Sequence, residues 1–344
     1  MRLLKRFLVL TLILLLVGGV VGYWSYSNLN TPHTHTATTD LIVIEPGMSK
    51  KAIINRLALD GIISNRLPVL IYLLLRPQAG KLQAGEYRFE SPITPLEVLN
   101  KLQRGLVATE QITIPEGYDH FDVVQVLTAA KIDTPEAIEL AIRDTSLIAD
   151  LDPEARDLEG YLFPDTYSFT RQTRALPLIT AMVRRCRQVL TPERVKRAQE
   201  RGLNVRQLLV LASMVEREAK VDEERAVIAA VFYNRLKRNM KLDCDPTFIY
   251  AAKLTGAWDN NVNNPAHRRR ESPYNTYFTT GLPPGPIASP GVESIDAALY
   301  PAEVDYLYFV VSGTDGHHKF SRTEAEHLAA VAAYQRQQRQ AQRN

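Results

Sequence analysis

The stretch 114-IPEGYDHFDVVQVLTAAKI-132 repeats the pattern of 44-IEPGMSKKAIINRLALDGI-62, and that pairing decides the fold class. At a constant offset Ile44, Gly47, Ile53, Ile54, Leu57 and Ile62 match Ile114, Gly117, Val123, Val124, Leu127 and Ile132. Each copy reads as a short strand, a glycine turn, a helix start at Ser49 or Asp119, and an apolar helical stripe. Between them, 84-AGEYRFESPITPLEVLNKLQRG-105 adds a strand from Tyr87 to Phe89 and a well-marked helix. Thr94 is its N-cap, Pro95 takes the first helical position, Glu97 completes a capping box, and Gly105 ends it. Such strand–helix units make an α+β module. The pattern fits binding, positioning or plain scaffolding alike.

Towards the N-terminus the chain changes character. MRLLKR is a basic n-region, followed by the uncharged run 7-FLVLTLILLLVGGVVGYW-24. At about 1.5 Å per residue this run spans a bilayer, and Tyr23 and Trp24 stand where an aromatic belt belongs. No A-x-A-like cleavage site follows. The positive-inside rule keeps residues 1–6 in the cytoplasm and places everything after Trp24 outside it. A cleaved signal peptide is the other reading, with the same consequence for the working part. Residues 25–40 are polar and rich in Thr and His, and read as a linker.

The 344 residues suffice for an anchor and two ordinary domains. With a net charge of +3 and no long Lys/Arg cluster, a nucleic-acid partner is not expected. Arg268-Arg269-Arg270 is the most basic spot, either a solvated loop or a contact for an anionic partner. The two cysteines, Cys186 and Cys244, lie far apart without metal-ligand spacing. The sequence therefore implies no metal and no cofactor.

From about 133 to 205 the pattern is mostly helical. It is broken by 157-DLEGYLFPDTYSF-169, whose rings around Asp165 suit either a sugar face or a core. A helix starting near Asn204 carries 211-LASMVEREAK-220, and a second runs from an Asp222 cap through 223-EERAVIAAVFYNRLKRNM-240. On a wheel at about 100° per residue, Ser213, Arg206, Arg217 and Lys220 form a polar arc with Glu216 at its edge. Glu218 falls on the apolar side. Glu216 thus reads as a surface partner for Lys220. Glu218 reads either as a general acid with a raised pKa or as a carboxylate buried against Arg225 or Arg235. Val227, Val231 and Asn234 share a stripe on the second helix, so Asn234 is a satisfied core amide or a group turned into a cleft.

The run 212-ASMVEREA-219, with 233-YNRL-236, 241-KLDCDPTFIY-250, 274-YNTY-277, 281-GLPPGPIASPG-291 and 307-LYFVVSGTDGHHKFSRT-323, resembles the endolytic murein transglycosylase family (MltG, YceG-like). The earlier 160-GYLFPDTY-167 and the apolar N-terminus agree, so the resemblance covers nearly the whole chain. It implies a LysM-like module at 41–135 and a YceG-like α+β catalytic domain at 136–335; the Gln/Arg-rich composition of 336–344 reads as a frayed tail. It implies cleavage of the β-1,4 bond from N-acetylmuramic acid to N-acetylglucosamine in peptidoglycan, leaving a 1,6-anhydro end. The second glutamate of E-x-E, Glu218, is the implied acid and then base. Substrate contacts are implied for Asn234, Asp245, Thr247, Tyr274, Asn275, Thr276 and Tyr277. His318 fits a Gly-x-His pattern and a supporting hydrogen bond rather than a metal. Pro283, Pro284 and Pro286 stiffen an expected cleft wall. Cys244 stands where the family usually has a polar residue. The implied partners are glycan strands, the membrane and synthases such as penicillin-binding proteins. A muramidase-type hydrolase and a non-catalytic glycan-binding scaffold are the competing readings. The wheel expects Glu216→Gln to keep most activity and Glu218→Gln to lose nearly all of it.

Overall fold

A computed structural model describes residues 2–76, 80–313 and 315–341. The chain divides into two compact units, residues 1–110 and 111–344, each a mixture of helices and short strands.

The first unit begins with α1 (Arg2–Asn30), which contains the one helix long and apolar enough to cross a membrane among the described residues. It continues with β1 (Ile42–Ile44), α2 (Lys50–Leu59), α3 (Arg66–Leu75), β2 (Gly85–Tyr87) and α4 (Pro95–Arg104). The local signals place the helix ends. Ser49 caps α2, Thr94 and Glu97 close a capping box on α4, and Gly105 ends α4 at φ 64°. The unit closes because β1 pairs with β2, Ile42 opposite Tyr87, over a core of Ile44, Ile53, Ile54, Leu57, Tyr87 and Leu99.

Residues 25–40 are not a free tether. The helix runs on to Asn30 because Asn28, Asn30 and Thr31 donate to the carbonyls of Trp24, Tyr26 and Ser27, satisfying its last turns. Leu29 enters the core, His33 bridges Ile93, and the His35 imidazole meets the Glu90 carbonyl. Composition marked this stretch as loose, but Asn28, Asn30, Thr31 and His35 spend side-chain hydrogen bonds on backbone carbonyls.

The second unit holds β3 (Glu110–Ile114), α5 (His120–Ala129), α6 (Pro135–Ile142), β4 (Asp165–Phe169), α7 (Ala175–Val189) and α8 (Pro192–Glu200). Then come α9 (Val205–Glu218), α10 (Arg225–Lys237), α11 (Asp245–Leu254), α12 (Pro265–Arg268), α13 (Val292–Leu299), the hairpin β5 (Tyr308–Val311) and β6 (His318–Ser321), and α14 (Glu324–Ala341). Asp119 and Asn204 cap α5 and α9. A 3₁₀ turn at Asp222–Glu224 precedes α10, so Asp222 does not itself cap that helix. The aromatic stretch belongs to the core. Tyr161, Leu162, Phe163, Tyr167 and Phe169 are buried and Asp165 pairs with Arg185 at 2.7 Å. Both cysteines are free and buried.

At the centre lies α9, packed against α8, α10, α11 and α13. Leu208 to Val215 are buried without a break. The wheel's polar arc is therefore wet only in part: Arg217 and Lys220 are exposed, but Ser213 and Glu216 are covered. The loop 286–291 and the turn 115–118 lie against it. Ile287 N donates to Ser213 Oγ (3.1 Å), Gly291 N to Glu216 (3.0 Å), and Arg217 donates to the Gly117 carbonyl (2.9 Å).

Two distant segments meet at Gly160, whose φ is +80° and where an added Cβ would lie 2.5 Å from the Pro286 ring. Gly202, at φ +76°, faces open space. Gly160→Ala is expected to cost about 3 kcal/mol, from backbone strain plus a clash with a rigid ring, and Gly202→Ala only about 1 kcal/mol. Urea unfolding of the two variants checks this; equal losses would mean that the Gly160–Pro286 contact is not tight.

Candidate active site

Glu218 is the last residue of α9 and is half-buried. Its carboxyl meets the start of α11, where it engages the Cys244 thiol and the Asp245 backbone N–H. Burial pushes it up to about 7, helped by the Asp245 carboxylate and opposed by the thiol, the N–H and Lys220. The two arginines that could have neutralised it are engaged elsewhere. Arg225 pairs with Glu216 at 3.5 Å and with Asp222. Arg235 donates to the carbonyls of Leu307, Lys241 and Leu242 and pairs with Asp243.

Glu216 is the correction. It is no surface partner of Lys220: its side chain is only 7% exposed, held between Arg225 and the Gly291 N–H. The wheel assumed water on that arc, and a loop fills it. Beside it, burial and the neighbouring Glu216 raise the carboxyl of Glu116.

The start of α11 is stitched to the 274–277 loop by two threonines. Thr276 Oγ1 accepts from Cys244 N (3.0 Å), and Thr247 Oγ1 donates to the Cys244 carbonyl (2.6 Å) and meets Thr276 Oγ1 at 2.9 Å. Asn275 donates to the carbonyls of Arg268 and Arg270 and accepts from Tyr277 N. Thr247, Asn275 and Thr276 are fully buried, so they hold backbone in place and present no surface to a ligand. Asp245 and Tyr277 do reach the surface region. The Tyr277 hydroxyl donates to Asp245 at 2.6 Å, and Arg268 reaches the same carboxylate at 3.2 Å with its guanidinium over the Tyr277 ring.

The remaining residues are engaged with other partners. Asn234 donates to the carbonyls of Val304 and Tyr306, and so is a satisfied amide fixing the approach to β5. Tyr274 packs on Tyr250 and lines a separate polar pocket of about 210 Å³ with Glu159, Arg206, Pro284 and Gly285. Pro284 and Pro286 line that pocket. His318 meets Glu224 at 2.7 Å, and Glu224 also accepts from the His318 backbone N–H. Burial works against charge on Glu224, but these bonds outweigh it and hold its carboxyl below the usual range. Because Glu224 follows Glu218 closely in the chain, this pair pins the β5–β6 hairpin to the segment just after Glu218.

Sequence reading missed Arg268 and Glu224 as members of this network. It also missed the support under α11. There His120 bonds the buried Glu159 at 2.6 Å with Tyr250 of α11 nearby at 3.3 Å, and Lys253 bonds Asp119 at 2.5 Å. Burial would lower His120, but Glu159 more than compensates and leaves it above its usual value. Among the described residues no group of three His, Cys, Asp or Glu is arranged for a metal ion.

A model of the YceG-like family matches residues 42–333. The chain is 32% identical over 336 residues to an endolytic murein transglycosylase of Bacillus subtilis, across 93% of this chain and 91% of that one. It is 30% identical to an endolytic murein transglycosylase of Streptococcus pneumoniae, across 94% of this chain and 63% of the pneumococcal one, which is longer. A solved structure of a YceG-like protein from Listeria monocytogenes superposes with a TM-score of 0.58 at 30% identity, over 86% of this chain and 99% of that chain.

Two outcomes test the electrostatics. A carboxyl raised from 4.5 to about 7 favours the folded state when protonated, and that contribution is lost as pH climbs through 4.5 to 7. Over that window Glu218→Gln should gain on wild type by roughly 3 kcal/mol in unfolding free energy, with a flat difference beyond. A pH-independent difference would refute the raised value. Glu216→Gln should instead destabilise by about 2 kcal/mol at neutral pH, since Arg225 loses a buried partner.

Proposed function

Because the chain belongs to the YceG-like family, we propose that it is a membrane-anchored endolytic transglycosylase that cuts the glycan strands of peptidoglycan with Glu218 as its acid and base. The observation that carries this reading is a carboxyl raised to about 7 and facing a polar surface formed by Asp245, Tyr277 and Arg268. A group with that pKa is protonated often enough at neutral pH to give up a proton, and ionised often enough to take one back.

Glu218 first donates its proton to the oxygen linking C1 of N-acetylmuramic acid to C4 of N-acetylglucosamine. The C1–O bond breaks and the N-acetylglucosamine side leaves as an alcohol. The muramic C6 hydroxyl then bonds to C1, and its proton returns to the Glu218 carboxylate. No water is consumed and the acid is regenerated. An ordinary glycosidase needs a second carboxylate for a nucleophile or base. Here the substrate supplies the nucleophile, with the advantage of an intramolecular attack. Acid–base transfer accounts for about 10²–10⁴ of the rate, and the rest falls to positioning. Asp245 and Tyr277 are the proposed sugar contacts. Thr247, Asn275, Thr276, Asn234 and His318 act by fixing the backbone around them, and Tyr274 belongs to the neighbouring pocket.

In the same reading α1 is a single span with its basic end in the cytoplasm, which puts both units on the far side of the membrane. The strand–helix unit is LysM-like and steers glycan, and cleavage near a synthase ends strand growth. A hydrolase is the second reading, favoured by one observation, the Asp245 carboxylate close enough to raise Glu218.

Digestion of purified sacculi by the intact protein in detergent separates these readings. We expect fragments with 1,6-anhydro ends, loss of at least a hundredfold in rate with Glu218→Gln, and kcat/KM falling tenfold per pH unit above about 7 as the acid is lost. Reducing-end muramic acid would favour the hydrolase. Undiminished activity in Glu218→Gln would remove this residue from the chemistry.

A further inference from the structure

Among the described residues, the first unit leaves a face of one helix without cover. In α3, RLPVLIYLLL, no charge interrupts Leu67–Leu75. The unit's core takes Pro68, Val69 and Leu73. Leu67, Leu74 and Leu75 remain 55%, 78% and 75% exposed. At about 100° per residue these three and Ile71 fall on one face. A water-facing helix places polar residues there.

This face continues the surface of the membrane-crossing helix. α3 packs directly on α1, and the two enclose a groove of about 460 Å³ between Gly18, Val21 and Gly22 of α1 and Ile71, Tyr72 and Leu75 of α3. Gly18, Gly22 and Ser25 line that groove, and a Cβ added at either glycine would meet nothing within 4 Å, so the groove is open there. Gly18 lies six residues before Trp24, so the groove reaches about 9 Å below the aromatic belt at 1.5 Å per residue. That is the depth at which an interfacial helix lies. The depth is set rigidly, because Leu29 of α1 is part of the same core as Val69 and Leu73 of α3. At the C-terminal end of α3, Arg76 lies 5.2 Å over the Tyr72 ring, a long cation able to reach back to headgroups.

We propose that α3 is embedded in the outer leaflet of the membrane beside α1, with Leu67, Ile71, Leu74 and Leu75 facing lipid. The first unit is then seated on the bilayer surface rather than held off it by a tether. This rests on the reading that α1 spans a membrane.

The test uses the full chain in phosphatidylglycerol–phosphatidylethanolamine liposomes, with a nitroxide on Leu14→Cys, Leu74→Cys, Leu75→Cys or Leu140→Cys. Cys186 and Cys244 are buried and stay unlabelled in the folded protein. Each label's collision rate with oxygen, which concentrates in lipid, is compared with that of a water-soluble nickel chelate. We expect oxygen to exceed nickel severalfold at 14, 74 and 75, and the reverse at Leu140, which is 73% exposed in the second unit. Nickel exceeding oxygen at 74 and 75, with 14 still in lipid, overturns the proposal and leaves the anchor standing. Low access to both reagents at 74 and 75 means that a protein covers the face, and also overturns it. Nickel access at 14 removes the anchor and this inference together.

Discussion

A helix whose middle is enclosed on every side, as α9 is from Leu208 to Val215, must satisfy its buried polar side chains inside the protein, and that constraint organises the second unit. Ser213 and Glu216 are held away from bulk water, so each accepts from a backbone N–H of the loop 286–291, far away in sequence, while the exposed Arg217 reaches across to the Gly117 carbonyl. An unsatisfied buried polar group costs about 1–3 kcal/mol, enough to matter in a fold whose net stability is about 5–15 kcal/mol. The proline-rich loop 286–291 and the turn 115–118 are therefore as much part of α9's solvation as of their own structure. Their positions follow from the helix they serve.

The same constraint separates two glutamates that stand two residues apart. Glu216 lies where α9 is covered, and Arg225 and the Gly291 N–H supply what a buried carboxylate needs. Glu218 lies at the helix end, where the covering elements give way to the start of α11. It finds a thiol and one backbone N–H there, weak partners against the loss of water, and its carboxyl rises to about 7. Identical side chains thus acquire different chemistry from the elements that happen to face them. That difference in surroundings is what an acid–base group requires.

Most polar residues of the resembling motifs serve structure first. Thr247, Asn275 and Thr276 spend their hydrogen bonds on Cys244, Arg268, Arg270 and Tyr277 backbone atoms, and Asn234 and His318 hold the hairpin in place. They build a rigid rim, and the residues left to face outward are few, chiefly Asp245, Tyr277 and Arg268. A site that must hold a sugar in one geometry gains from such a rim, because misplacement by even about 1 Å can cost two orders of magnitude in rate.

What the sequence determined by itself was local. Caps at Ser49, Thr94, Asp119 and Asn204 and the stop at Gly105 depend on partners three or four residues away, so spacing alone revealed them. The apolar span, the strand–helix echo and the aim of Glu218 away from the polar arc were legible for the same reason: each is a period along one element. Tertiary structure decided whatever needed a partner from elsewhere in the chain. It turned the expected wet arc of α9 into a rack for two loops, made Glu216 the paired carboxylate, and moved Tyr274 into another pocket. It also folded the polar stretch after Trp24 onto the first unit. A periodicity can tell which way a side chain points, but not whether water or another segment waits there, because the energy of burial is set by contacts about a hundred residues apart, such as Arg217 with Gly117.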